Sequence, residues 1–258
     1  MKKFLFSALA AVTLTASFTA LAAPQNPPVN TVVLVHGAFA DGSSWNRVIP
    51  LLQSHHINVI AVQLPLTSLQ DDVAATQRAI ARARAQGNVV LVGHSWGGTV
   101  ITEAGNNPQV KGLVYVAAFA PAAGQSTGDL AGSYPSPPGS AGIAKTPDGF
   151  LYLPAPTVAK DFAQDAPASQ QKLLAVSQGP IRAAAFGDKV SHAAWTQKPS
   201  WYLVSTEDRM INPDLERAMA QRIHASVSSV AASHTSMLSH PTTVAQVITR
   251  AVDGVNAQ

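Results

Sequence analysis

The sequence predicts an α/β fold, built on a doubly wound, mostly parallel sheet. Short Val- and Ile-rich runs alternate with helical patterns along most of the chain, and each run ends in a turn rich in Gly, Pro or polar residues. The alternation breaks once, between Ala122 and Pro199. There Ser133-Tyr134-Pro135-Ser136-Pro137-Pro138-Gly139 and Pro154-Ala155-Pro156 are followed by short helical patterns. That stretch reads as an insertion after the fourth strand.

Thr31 to Val35 (TVVLV) is a β-branched run ending at His36-Gly37, the pattern of a buried strand. Ser43 or Ser44 caps a helix expected to run to about Ser54. Ile57 to Val62 is the second strand. Asp71 or Asp72 opens a helix carrying Val73, Ala74, Ile80 and Ala81, which ends near Gln86-Gly87. Val89 to Val92 is the third strand, Val110 to Phe119 the fourth and Ser200 to Ser205 (SWYLVS) the fifth. Asn212-Pro213 starts a helix through about His224, with Asn at the cap and Pro in the first turn. Val227 to Ala232 is the last strand, and Pro241 to Val252 the closing helix. Within the insertion, helical patterns cover Val158 to Gln164, Ala168 to Val176 and Ile181 to Phe186.

Met1-Lys2-Lys3, the apolar stretch Phe4 to Leu21 and the small-residue site Ala20-Leu21-Ala22 have the form of a secretory leader over residues 1–22. Cleavage after Ala22 takes 22 of the 258 residues and leaves 236, enough for one domain with an insertion. The core is then 23–121 plus 199–258, with Pro24 to Asn30 as a linker and 122–198 as a cap. Without Lys2 and Lys3 the chain holds 15 basic against 14 acidic side chains, and no Lys/Arg cluster marks a nucleic-acid face. No later apolar run reaches the length of a membrane span, so no stable membrane anchor is expected. With no cysteine, the chain relies on its core alone and cannot be a thiol enzyme.

The chemistry centres on VVLVGHSWGG, residues 89 to 98. A Val-rich run ends in Gly93-His94-Ser95-Trp96-Gly97, and a small-residue helix pattern follows. Strand, sharp turn carrying a serine, helix: this is the context of a nucleophile elbow, which makes Ser95 the candidate nucleophile. Serine needs a base, a group orienting that base, and donors for an oxyanion. Asp208 follows the fifth strand and His234 follows the last, so both fall beyond carboxyl ends of strands, on the edge where Ser95 lies. Glu207 competes with Asp208, and His240 with His234. The backbone amide of Trp96 is the first oxyanion donor. Ala38, with Phe39 as alternative, supplies the second from the loop after the first strand. His36 reads as a structural residue holding that loop. His55, His56, His192 and His224 fall on surface or cap positions. The spacing of His234 and His240 matches no common zinc signature and HExxH is absent, so no metal is expected.

With these residues placed, the chain resembles the α/β-hydrolase superfamily over nearly all of its mature length. More narrowly, it is similar to small bacterial carboxylesterases akin to the plant methylesterase and hydroxynitrile lyase group. The stretches that carry this are VLVHGAFADGSSW (33–45), QLPLTSLQDD (63–72), LVGHSWGG (91–98), LVYVAAFAP (113–121) and SHTSMLSHP (233–241). The resemblance implies a Ser95–Asp208–His234 triad and a cap inserted before the acid-bearing strand. Serine-triad hydroxynitrile lyases carry a lysine directly after the catalytic histidine. Here that neighbour is Thr235, and His234, Met237, Ser239 and Pro241 follow the esterase pattern.

The expectation is therefore an exported serine esterase, periplasmic or secreted, that needs no cofactor. Its substrate-binding residues are expected to be Phe39, Phe119, Phe150 and Trp195, with the cap aromatics buried over the active edge. The absence of an Arg or Lys clamp in that set favours a small, uncharged, moderately apolar ester. The alternatives are a lyase or perhydrolase using the same triad, or a ligand-binding protein on a hydrolase fold.

Overall fold

A computed structural model describes Met1, residues 30–83 and residues 87–257. The leader expected over 1–22 lies, Met1 aside, outside the described residues, as does most of the linker. In chain order the core runs β1 (Thr31–Val35), α1 (Ile49–Ser54), β2 (Asn58–Ala61), α2 (Leu69–Ala83), β3 (Val89–Ser95), α3 (Trp96–Ala104) and β4 (Val110–Ala118). The inserted stretch holds α4 (Thr127–Ala131), β5 (Ala144–Lys145), β6 (Phe150–Tyr152), α5 (Ala155–Thr157), α6 (Ala168–Ser177) and β7 (Ile181–Arg182). The core then resumes with β8 (Ser200–Ser205), α7 (Pro213–Arg222), β9 (Ser226–Val230), α8 (Ser236–Ser239) and α9 (Pro241–Asn256).

The main sheet has the order β2-β1-β3-β4-β8-β9, and every neighbouring pair is parallel. Every residue of β1 and β3 is buried. This is why those strands read as unbroken apolar runs: helices cover a parallel sheet on both faces, leaving no side for polar alternation. Helices α2 and α3 pack on each other and on β1, while α9 packs on β3, β4 and β8. The edge strand β9, SVSSV, is largely exposed or half-buried and is polar accordingly.

Four local expectations are corrected. The helix expected from Ser43 or Ser44 to Ser54 is two pieces. Asp41, whose carboxylate accepts the Ser43 N–H at 2.7 Å, caps a 3-10 turn over Gly42–Trp45, and α1 then starts afresh with a proline in its first turn. Pro50 has no N–H and its ring would clash with a carbonyl one turn back, so one helix cannot run through it. Second, α2 begins before its aspartates: the Ser68 hydroxyl accepts the Asp71 N–H at 3.0 Å. Third, Ile181 to Phe186 is a strand followed by a 3-10 turn. Ile181 and Arg182 pair antiparallel with Leu151 and Phe150 in a three-stranded sheet β5-β6-β7. Fourth, the helical pattern expected over Val158 to Gln164 is a π-helical turn at Val158–Phe162.

Candidate active site

Ser95 ends β3 and precedes the first residue of α3, with φ 53° and ψ −122°. A non-glycine residue in that region is strained, and the surroundings hold it there. A Cβ at Gly93 would stand 2.5 Å from the Gly97 carbonyl oxygen, and one at Gly97 would stand 2.5 Å from the Val35 carbonyl oxygen. The two glycines of the motif thus let the elbow close on itself and seat it against the end of β1.

The loop after β1 is fixed by His36. Its ring lies 2.8 Å from the Gly37 carbonyl through Nδ1, and Nε2 accepts the Leu64 N–H at 3.0 Å. An acceptor on one nitrogen assigns the proton to the other, so His36 is neutral and donates to Gly37. Burial also lowers its pKa. His36 is therefore the structural residue expected. Because the Gly37–Ala38 peptide is trans, its carbonyl facing His36 turns the Ala38 N–H the other way. Among the described residues, the Ala38 and Trp96 amides meet no acceptor. As the first residue of α3, Trp96 has an amide that the helix leaves unused. Phe39, at φ 60°, completes the turn.

Asp208 and His234 meet: His234 Nδ1 lies 2.6 Å from Asp208 Oδ2, and both side chains are buried. The other Asp208 oxygen accepts the N–H groups of Met210 at 2.6 Å and Ile211 at 2.9 Å, which pins the carboxylate. Neither rival takes these places. Glu207 is exposed, and His240 directs Nδ1 to Ser239 Oγ at 2.9 Å, with Asp165 at 3.8 Å. Beside the elbow, the His94 ring lies 4.7 Å from the His234 ring. Ser95 and His234 are thus on adjacent structure, but among the described residues no hydrogen bond joins the hydroxyl to the imidazole.

The inserted stretch grips the loops that carry His234 and Asp208. Asp165 accepts the Ser233 N–H at 2.9 Å, and the Thr235 hydroxyl donates to the Phe162 carbonyl at 3.3 Å. The Gln164 amide donates to the Glu207 carbonyl at 2.8 Å, and Arg209 pairs with Asp161 at 2.7 Å. The Phe162 ring stands 5.2 Å from the His234 ring and 6.3 Å from that of Phe39.

Of the expected substrate-binding residues, Phe39 is buried in this cluster, and Phe119 follows β4, its N–H donating to the Ser95 carbonyl at 3.2 Å. Phe150 and Trp195 make their aromatic and polar contacts elsewhere. Phe150 sits in the small sheet under the Arg182 guanidinium. Trp195 donates to the Pro121 carbonyl at 2.9 Å and lies under Arg222. Alternation and aromatic content identify an insertion rich in rings, but not which ring turns inward.

Two residues at the site carry no signal in the sequence beyond their motif. His94 occupies a variable position of the elbow, and Asp72 looks like a helix opener. Asp72 is buried. It accepts the Leu66 N–H at 2.8 Å and the Trp96 indole N–H at 2.7 Å. Burial pushes its pKa up to about 6. Among the described residues, no group of three or more His, Cys, Asp or Glu could hold a metal ion, and no helix is long and apolar enough to cross a membrane.

Residues 32–247 match the alpha/beta hydrolase family. The chain is 26% identical over 242 residues to an alpha/beta hydrolase of Aspergillus novofumigatus, an alignment covering 85% of this chain and 95% of that one. Its fold is similar to the crystal structure of polyneuridine aldehyde esterase, with a TM-score of 0.74 at 18% identity over 86% of this chain and 98% of that one. It is also similar to a pyrethroid hydrolase from Sphingobium faniae, with a TM-score of 0.74 at 22% identity over 87% and 97% of the two chains.

Proposed function

The chain belongs to the alpha/beta hydrolase family, and from that premise we propose that it is an exported serine esterase acting on small, uncharged, moderately apolar carboxylic esters. The observation that carries this reading is the buried 2.6 Å Asp208–His234 pair beside the strained backbone of Ser95.

In this reading Ser95 Oγ attacks the ester carbonyl carbon while its proton passes to His234 Nε2. Asp208 keeps the other ring proton on Nδ1 and balances the imidazolium charge. The tetrahedral oxyanion is held by the amides of Trp96 and Ala38, aided by the N-terminus of α3. When the carbon–oxygen bond to the leaving alcohol breaks, His234 returns the proton to that alcohol. Water then enters, gives a proton to His234 and adds to the acyl carbon; as the bond to Ser95 Oγ breaks, His234 returns that proton to Oγ, which releases the acid and free Ser95. The inserted stretch 122–198 serves as a cap over this edge. The Phe39, Phe119 and Phe162 surroundings support this substrate class. A role for Phe150 and Trp195 in substrate choice would be indirect, through the shape of the cap.

The Thr235 position supports an esterase over a cyanohydrin lyase. Thr235 is buried, and its hydroxyl is committed to the Phe162 carbonyl, so it offers no cation for a leaving cyanide.

The test is a panel of p-nitrophenyl and methyl esters of varied acyl length, assayed beside mandelonitrile. Multiple turnovers on the esters, with cyanide release at background, are expected. A single stoichiometric burst without turnover would make the protein a binder, and cyanide release at the ester rate would make it a lyase. Export is tested by the N-terminus of the protein recovered outside the cytoplasm, expected at Ala23.

A further inference from the structure

Behind the triad acid lies a second carboxyl group. Glu216 belongs to the inner face of α7, with Leu215, Met219 and Ala220, and has no solvent exposure. Its Oε2 accepts the Ser205 N–H at 3.0 Å. Its Oε1 is buried and, among the described residues, has no donor to accept from. The nearby cation on the same helix, Arg217, is exposed and paired with Asp214 at 2.7 Å. From β8 the ring of Tyr202 lies nearby, and its phenol is bonded to the Ala118 backbone. Among the described residues the remaining charged neighbour is Asp208, whose carboxyl group stands within hydrogen-bonding reach of that of Glu216.

Two ionised carboxylates cannot make such a contact, since neither has a hydrogen to give, and leaving a charged oxygen buried without a donor is costly. One proton removes both problems. We propose that Glu216 is a neutral carboxylic acid whose O–H donates to the Asp208 carboxylate, making it a positioning residue for the triad acid. Asp208 already accepts from Met210, Ile211 and His234, and a carboxylate has about four lone-pair sites, so one remains for this donor. The pair then carries a single negative charge facing His234, held by donors on every side. Burial, and then the charge of Asp208, push the Glu216 carboxyl well above the usual carboxylate range, in the same direction.

The proposal rests on Asp208 as the triad acid, and its test has an arm that does not use turnover. Infrared spectra of the native protein at neutral pH should show a protonated-carboxyl C=O band that is absent in Glu216→Gln, whether or not esters are hydrolysed. Gln keeps both a donor toward Asp208 and an acceptor for Ser205. The acid limb of its kcat/KM profile should therefore stay in place, with kcat within about twofold of native. Glu216→Leu loses the donor. It should lower kcat about tenfold to a hundredfold, the cost of a hydrogen bond to a charged group, and move the acid limb to higher pH. An ionised Glu216 would give the opposite record: no such band, and an acid limb moved to lower pH in Glu216→Gln as a negative charge is removed. Either of those results overturns the proposal, even if Glu216→Leu does not fold.

Discussion

His94 Nε2 donates to the backbone carbonyl of His234 across 2.9 Å, tying the residue before the proposed nucleophile to the proposed base. Because a carbonyl can only accept, this contact puts the His94 proton on Nε2. Burial then holds the ring neutral, its pKa well below the ordinary value. His94→Phe removes the donor and leaves the His234 carbonyl without it. A fall in kcat of about tenfold, with KM little changed, is expected from one lost buried hydrogen bond that orients the base. An unchanged kcat would show that the loop needs no such tie.

Asp208 and Glu207 are adjacent, and only Asp208 faces the imidazole. Asp208→Asn should keep the fold and lose about four orders of magnitude in kcat, because the amide cannot hold the required ring tautomer. Glu207→Gln should cost less than about threefold, since an exposed charge is screened by solvent. The two variants assayed on one activated ester decide it. A near-native Asp208→Asn beside a crippled Glu207→Gln would move the acid role.

Asp72 links stability to pH. Its pKa is raised in the folded chain to about 6 by burial, so the folded state holds the proton more tightly than the unfolded one. The stability this contributes is fully present below the unfolded pKa and is lost as pH rises through about 6. Between about pH 4 and pH 6 the native protein should lose up to about 3 kcal/mol from this group. Asp72→Asn should lack that slope in urea unfolding. Equal slopes in the two proteins would contradict the assignment.

Substrate choice should follow Phe162 more than Phe150. Phe162→Leu changes the ring that meets both His234 and Phe39. It should shift the ratio of kcat/KM between short and long acyl esters by about ten- to a hundredfold, the range of one to a few methylene-sized contacts. Phe150→Leu should leave the ratio within about twofold, because its ring contact is with Arg182. The reverse ranking would place the small sheet at the pocket.

The parts of this molecule that were legible in the sequence are those where one residue type has one physical use. Val-rich runs such as 89–92 read as buried strands, Gly93 and Gly97 mark a turn too tight for a side chain, and Asn212-Pro213 has the cap and first-turn residues of a helix start. Chain order then put Ser95, Asp208 and His234 on one edge of the sheet. Tertiary contacts decided the rest. Ile181 to Phe186 has a helical pattern, but its first two residues pair as a strand because β6 offers them an edge, and a 3-10 turn follows. Phe162 and Phe150 look alike in sequence, and only the π-helical turn aims the first at His234. Asp72 reads as a helix opener, and Glu216, in the first turn of α7, has nothing in the sequence to set it apart. Their burial depends on what α2 and α7 pack against, which local patterning does not contain.

The most direct measurement is the intact and peptide mass of the protein after reaction with an organophosphonate ester, made on the native chain, Ser95→Ala and His234→Ala. The reading of Ser95 as nucleophile activated by His234 requires a single adduct on Ser95, none on Ser95→Ala, and much slower labelling of His234→Ala. Ester turnover should fall in Ser95→Ala by about three to six orders of magnitude while the circular dichroism stays native. An adduct on another serine, or a Ser95→Ala protein that still hydrolyses esters at the native rate, would contradict it.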